Sequence, residues 1–248
     1  MKKIIIIPAR YGSTRYKGKP LVKILNREMV LRVADICAKV VNKKNLYVAT
    51  DSKKISKVVE SANYNSLMTS SNCLTGTDRV AEAAKQIKAK IYINVQGDEP
   101  TINPKDIKKI IKAKIKYPNH VICGYDKINS YEDPLNKNLP KVVINDKKEL
   151  IYISRSLIPG SKSKKKLDYL KQVCIYAFNE KELAKFSQNK RKSKIEDIED
   201  IEILRFFDLG IKIKMIRLYS NSLAVDDERD KEKVESIILK NEKKISRY

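Results

Sequence analysis

The first half of the chain alternates short aliphatic runs with amphipathic stretches. Residues 3–7, 46–49 and 91–95 are aliphatic runs too short for a helix, whereas the stretches near 29–41, 52–62 and 77–88 repeat apolar positions at helical spacing. A strand that is apolar at successive positions is buried on both faces. This half therefore predicts parallel strands joined by right-handed crossovers, with helices on both faces of an open sheet. The second half is less regular. Residues 121–125, 141–144, 151–154 and 173–178 read as strands among Asn-, Pro- and Lys-rich connections, and 159–166 reads as a mobile loop. There is no internal repeat and no break in composition that marks a second domain. The expectation is one α/β domain over residues 1–248, with a smaller β-rich extension inserted at about 125–190.

Chemistry gathers where the predicted strands end. The run Ile4, Ile5, Ile6, Ile7 leads straight into a loop carrying Arg10, Arg15, Lys17 and Lys19, with Gly12 and Gly18 among them. In an open α/β sheet the C-terminal ends of the strands are where ligands sit. Several cations on a loop with two glycines suit a polyphosphate: backbone N–H groups approach its oxygens, arginines grip them bidentately, and Lys19 supplies a compact charge where a leaving pyrophosphate develops its own. The spacing matches neither G-x-x-x-x-G-K-[ST] nor G-x-G-x-x-G. The strands ending at Thr50-Asp51 and at Gln96-Gly97-Asp98-Glu99-Pro100 bring polar residues to the same edge.

Pro8, Ala9, Arg10, Ser13, Thr14, Arg15, Gly18, Lys19, Pro20 and Leu21 match the pattern I-P-A-R-x-x-S-T-R-x-x-G-K-P-L. The chain thereby resembles the cytidylyltransferases that activate acidic sugars, the 3-deoxy-manno-octulosonate (Kdo) type above all. A second stretch, N-V-Q-G-D-E-P over 94–100, is the wording of the same family. Gly97 permits a sharp exit from the strand, and the Asp98 carboxylate at that place suits Mg²⁺, a hard ion that shares oxygen ligands with substrate phosphates. Aligning Val225 with the family's terminal V-D-T-P-E-D-L run puts Asp226 on its second metal-binding aspartate; Asp227 stands where threonine is usual and reads as a helix cap.

The resemblance implies further assignments. Gly76, Thr77 and Arg79 fall in the family's H-x-S-G-T-E/D-R segment, which lines the base and ribose pocket; read alone, Thr77 is also a helix N-cap and Arg79 a surface ion-pair partner. With Pro8, Ala9, Arg10, Ser13, Thr14, Lys19, Gln96 and Gly97 they make the expected nucleotide site, and Arg10, Arg15, Lys19 and Asp98 the expected catalytic set. For the acidic sugar, Arg155 follows the strand at 151–153 as in the family's Y-F-S-R and offers its planar fork to a carboxylate. Gln96, Gln172, Tyr176, Glu199 and Glu202 complete the expected sugar site. Glu199 and Glu202 are read on one face of a helix that begins with the capping box at Ser193 and Glu196. Gln172 is a departure, since the family commonly has a histidine there. Glutamine keeps hydrogen bonding but carries no charge, which leaves open Kdo or a modified relative such as its 8-amino form.

The family likeness also implies a Rossmann-like nucleotidyltransferase fold, an Mg²⁺ cofactor, CTP and a Kdo-like sugar as partners, a homodimer formed through the extension, and a role in lipopolysaccharide biosynthesis. Composition bounds the reading further. The chain has 248 residues, 42% of them hydrophobic, and its apolar runs fall short of the ~20 residues a membrane helix needs, so cytoplasmic location without membrane insertion is expected. Cys37, Cys73, Cys123 and Cys174 lie far apart and there is one histidine, His120, which suggests neither a zinc site nor a disulfide framework. The net charge of +23 invites a nucleic-acid reading. The excess lysine is spread along the whole length without interleaved stacking aromatics, so no specific nucleic-acid partner is expected. A sialate-type cytidylyltransferase, a sugar-1-phosphate nucleotidyltransferase and a noncatalytic polyanion binder stay as alternatives.

Overall fold

Ile4, Ile5, Ile6 and Ile7 are all fully buried, and their alternation divides the molecule. Ile5 and Ile7 pack into one apolar layer with Val33, Ile55 and Ile107, while Ile4 and Ile6 pack into the opposite one with Val80, Phe178 and Phe206. Strand β1 (Lys3–Ala9) is thus covered on both faces, as its unalternating sequence requires. The computed structural model describes residues 1–12, 16–162, 167–219, 222–225 and 228–245.

After β1 come the two-residue strands β2 (Lys23–Ile24) and β3 (Arg27–Glu28), then α1 (Met29–Ala38), β4 (Leu46–Thr50), α2 (Lys53–Ser61), β5 (Asn65–Met68), α3 (Gly76–Gln86), β6 (Ile91–Val95) and α4 (Pro104–Lys116). The second half adds β7 (Val121–Lys127), β8 (Lys141–Ile144), β9 (Leu150–Ser154), β10 (Leu170–Phe178), α5 (Glu180–Phe186), α6 (Lys194–Glu199), α7 (Leu204–Asp208), β11 (Ile213–Arg217) and α8 (Glu228–Ile245). The central sheet runs β11-β7-β10-β6-β1-β4-β5. Every neighbouring pair is parallel except those made by β10, which enters antiparallel between β6 and β7. The antiparallel hairpin of β8 and β9 leaves the sheet from β10. This is the mostly parallel α/β sheet that the pattern predicts; of the strands in the stretch at 125–190, only β8 and β9 lie off it, because β10 pairs with β6 and β7 inside the central sheet.

Besides the two-residue β2 and β3, two strands of the central sheet escape the pattern reading. β5 is Asn-Ser-Leu-Met and β11 is Ile-Lys-Met-Ile-Arg; each joins the sheet at an edge, on β4 and β7 respectively, and β11 also bridges to Lys148 and Glu149.

The sheet forks where the site forms. The β1–β4 ladder continues to Ala9 opposite Thr50, but the β1–β6 ladder stops at Ile6 opposite Asn94. Pro8 has no N–H to extend it. Gly97 follows β6 so closely against β1 that a Cβ there would lie 2.9 Å from the Pro8 carbonyl oxygen. Only glycine lets the chain turn out at this point, and β1 and β6 diverge into a crevice.

Candidate active site

The crevice at this fork has a volume of about 710 Å³. Its walls come from the ends of β1 and β6, the first turn of α3, the start of β10 and the α6–α7 connection. Pro8, Ala9, Arg10, Lys19, Gly76, Arg79, Gln96, Gly97, Asp98, Arg155, Gln172, Tyr176 and Glu202 all line it. The structure therefore brings to one cavity residues spread from position 8 to position 202. Ser13, Thr14, Arg15 and Asp226 lie outside the described residues.

At one end are the cations. Arg10 stands exposed at the lip and makes no ion pair among the described residues. The Tyr11 carbonyl accepts the Gly18 N–H at 3.1 Å, and Gly18 sits at φ 71°, a left-handed conformation that favours glycine. This closure sets Lys19 at the start of a short 3₁₀ turn, where its Nζ meets Asp98 Oδ2 at 2.8 Å. The Asp98 side chain is one-third exposed, so it can accept a second cation. Glu99, next to it, is buried; burial, reinforced by the charge of Asp98, pushes its carboxyl up to about 7.

Among the described residues Glu99, Glu196, Asp200 and Glu202 also line the crevice, and Asp98 is the carboxylate beside Lys19 at its cationic end. The described residues hold no group of three or more acidic, His or Cys side chains suited to a metal. That donor set fits Mg²⁺, which takes one or two protein carboxylates and fills its octahedron with phosphate oxygens and water, and it does not fit a caged structural metal. The Val225 N–H donates to the Asp98 carbonyl at 3.0 Å, and Leu223 N–H to Thr101 Oγ1 at 3.0 Å. These bonds bring the segment that precedes Asp226 in sequence to the Asp98 turn.

The α3 turn forms the second wall. Thr75, not Thr77, is the N-cap: its Oγ1 accepts the Asp78 N–H at 3.2 Å while Asp78 Oδ2 accepts the Thr75 N–H at 2.9 Å. Asp78 can reach back only to a residue three earlier, which places Thr77 inside the helix with its side chain fully buried. A Cβ on Gly76 would come within 3.1 to 3.3 Å of the Gln96 amide and Pro8 Cγ. Gln96 Nε2 donates to Glu202 Oε1 at 2.8 Å, and Thr77 N–H donates to Glu202 Oε2 at 2.7 Å. Burial holds the Glu202 carboxyl above its ordinary range. Arg79 lines the crevice but is 2% exposed and engaged by Asp51 and Thr69.

The third wall corrects one expectation. Glu199 and Glu202 do not share a helix face. Helix α6 ends at Glu199 because Asp200 takes a left-handed conformation at φ 49°, and the chain turns before Glu202. Glu202 lines the crevice, whereas Glu199 turns to β9, accepting Ser154 Oγ at 2.6 Å and the Arg155 N–H at 2.8 Å. Arg155 lies at the crevice edge with Nε on the Glu199 carbonyl at 2.5 Å, Nη1 on the Lys137 carbonyl at 2.9 Å and Nη2 on the Asp200 carbonyl at 2.9 Å. Three of its five N–H donors are used in these bonds, leaving two, and the Asp200 carboxylate also pairs with Nη2 at 3.8 Å. Gln172 Nε2 donates to the Tyr176 hydroxyl at 3.1 Å across a β-bulge in β10, and both residues are buried in the crevice wall.

Pattern reading missed the residue that ties these walls together. Arg205 on α7 binds Glu196 through Nε at 2.6 Å and Nη2 at 2.7 Å, and Asp78 through Nη1 at 2.7 Å, while 2% exposed. The available signal was an arginine just after the glutamate-rich stretch that contains Glu196. Arg205→Ala leaves two carboxylates without their counter-charge, and removing one partner of a buried pair costs about 3–5 kcal/mol. Urea denaturation should show that loss; a change below ~1 kcal/mol would show that water replaces the guanidinium.

The pattern of the cytidylyltransferase family matches residues 4–213. The chain is 34% identical over 237 residues to the 3-deoxy-manno-octulosonate cytidylyltransferase of Escherichia coli, with 96% of each protein covered. It is 36% identical to the 8-amino-3,8-dideoxy-manno-octulosonate cytidylyltransferase of Shewanella sp. (strain W3-18-1), covering 95% of this chain and 98% of that one. Its structure superposes on that of a CMP:2-keto-3-deoxy-manno-octonic acid synthetase complexed with CTP with a TM-score of 0.90 at 34% identity, over 97% and 100% of the two chains. The crevice geometry, the matched pattern and relatives aligned over nearly their whole length agree: this chain belongs to the cytidylyltransferase family, among the 3-deoxy-manno-octulosonate type.

Proposed function

We propose that this chain transfers CMP from CTP to the anomeric hydroxyl of Kdo or a close relative such as 8-amino-Kdo, releasing pyrophosphate. The observation that carries the reading is the division of one crevice into a cationic end, with Arg10, Lys19 and Asp98, and a polar end, with Gln172, Tyr176, Glu202 and the half-used Arg155 fork. CTP occupies the first and the acidic sugar the second.

Arg10, Lys19 and Arg15 bind the β- and γ-phosphates and neutralise charge as pyrophosphate departs. The tight approach of Gly76 to Gln96 and Pro8 makes a rigid turn, so backbone groups of Pro8, Ala9 and the α3 turn read the base. The two remaining Arg155 donors receive the sugar carboxylate. Asp98 and Asp226 hold Mg²⁺, which when bound polarises the α-phosphate and neutralises its charge. The crevice fixes the hydroxyl and the α-phosphorus for in-line attack, so positioning supplies much of the rate and no covalent protein intermediate is required. Pyrophosphate formation with a new phosphodiester resonance in ³¹P NMR, from CTP and Kdo in Mg²⁺ buffer, tests the chemistry; CTP left unchanged would refute it.

Gln172 bears on which sugar is preferred. Gln172→His should shift the apparent affinity for the sugar several-fold, since one hydrogen bond is worth roughly 0.5–1.5 kcal/mol, and leave that for CTP unaltered. Steady-state kinetics with Kdo and its 8-amino analogue check this. Equal constants for both sugars in both proteins would make Gln172 a wall residue without selective function.

The reading includes a homodimer, supported by three strongly exposed apolar side chains on or near the β8–β9 extension, Tyr131, Leu135 and Ile151. It also includes cytoplasmic action, where nucleoside triphosphates are at hand, in lipopolysaccharide biosynthesis. Among the described residues no helix is long and apolar enough to cross a membrane.

A further inference from the structure

We infer that Asp51 is a positioning residue for the triphosphate loop, an inference that rests on reading the crevice as a CTP site. Asp51 follows β4, whose last residue Thr50 pairs with Ala9 at the end of β1. Its carboxylate is used twice: Oδ1 accepts the Tyr11 N–H at 3.1 Å, and Oδ2 accepts Nη2 of Arg79 at 3.1 Å.

The Tyr11 N–H belongs to the peptide directly after Arg10. The carbonyl of Tyr11 accepts the N–H of Gly18, the residue before Lys19. One carboxylate thus fixes the residue from which both ends of the loop are held, with Arg10 leaving on one side and Lys19 on the other. Lys19 in turn meets Asp98. Asp51 does not line the crevice; with Arg10, Tyr11 and Gly12 it lines a smaller adjoining pocket that shares Arg10 and Cys73 with it, and its bond to the Tyr11 N–H is the link through which it acts on the crevice.

An acid beside a triphosphate site would ordinarily repel the ligand. Arg79 answers that. It is 2% exposed, and its other contacts, Nη1 to Thr69 Oγ1 at 2.6 Å and to the Ser70 carbonyl at 3.3 Å, fix it against Asp51. Its charge neutralises Asp51, so the loop is anchored by an ionised acceptor whose field is cancelled locally. Charge-assisted hydrogen bonds of this kind are the stronger ones.

The test is CTP titration calorimetry together with steady-state kinetics on Asp51→Ala and Asp51→Asn. Asp51→Ala should weaken CTP binding and raise the KM for CTP roughly 10-fold, the scale of a lost charged hydrogen bond, with the KM for the sugar unchanged. Asp51→Asn keeps an oxygen for the Tyr11 N–H and should restore part of the CTP affinity, while a lower melting temperature reports Arg79 buried without its counter-charge. If the alanine variant does not fold, the isosteric asparagine variant carries the comparison. CTP affinity like that of the wild type in either folded variant, or KM values for CTP and sugar rising together, would overturn the inference and leave the CTP site standing. Wild-type protein that bound no CTP would remove the nucleotide reading and the inference with it.

Discussion

Asp98→Asn should reduce turnover by on the order of 10³-fold or more while the protein remains folded. The asparagine keeps the shape that follows Gly97 and an oxygen for Lys19, which now lies 2.8 Å from the carboxylate. It loses the negative charge that Mg²⁺ requires. Because the side chain is one-third exposed and outside the apolar layers, the fold should lose no more than about 1 kcal/mol, the range for exposed ion pairs. The rate of pyrophosphate release at saturating CTP and sugar, beside a denaturation curve, separates the two effects. A folded Asp98→Asn enzyme that turns over like the wild type would remove Asp98 from the reaction.

The second large effect belongs to Lys19. Lys19→Ala should lower kcat by roughly 10²-fold, the usual loss when one preorganised electrostatic contact to developing charge is removed. Its ammonium is nearly buried and fixed by the Gly18 turn against Asp98, so little reorganisation is needed as the pyrophosphate leaves. The loss should persist at saturating CTP, since it lies in the transition state and not in ground-state binding. An unchanged kcat with a raised KM would assign Lys19 to binding alone.

Much of this site is legible in the chain because its parts are local. The four isoleucines and the Gly97-Asp98 turn each carry their geometry within a few residues, and the structure brings Arg10, Lys19 and Asp98 to one crevice. What the sequence hides depends on distant partners. β10 has the composition of any buried strand, and its antiparallel insertion between β6 and β7 is set by the sheet as a whole. Asp200 is no strong helix stop, yet its left-handed conformation separates Glu199 from Glu202. Arg155 reads as a free fork, but three carbonyls from segments that are not its neighbours in sequence already occupy part of it. Arg205 gains its meaning only when Glu196 and Asp78, far apart in the chain, meet it.

The measurement that bears most directly on the account is pyrophosphate release from CTP, UTP, ATP and GTP, each with and without Kdo, in the presence of Mg²⁺. A crevice that reads cytosine at its cationic end and an acidic sugar at its polar end predicts release with CTP and Kdo together and only background in the other combinations. Equal release from all four nucleotides, release from CTP without the sugar, or none in any mixture would contradict it.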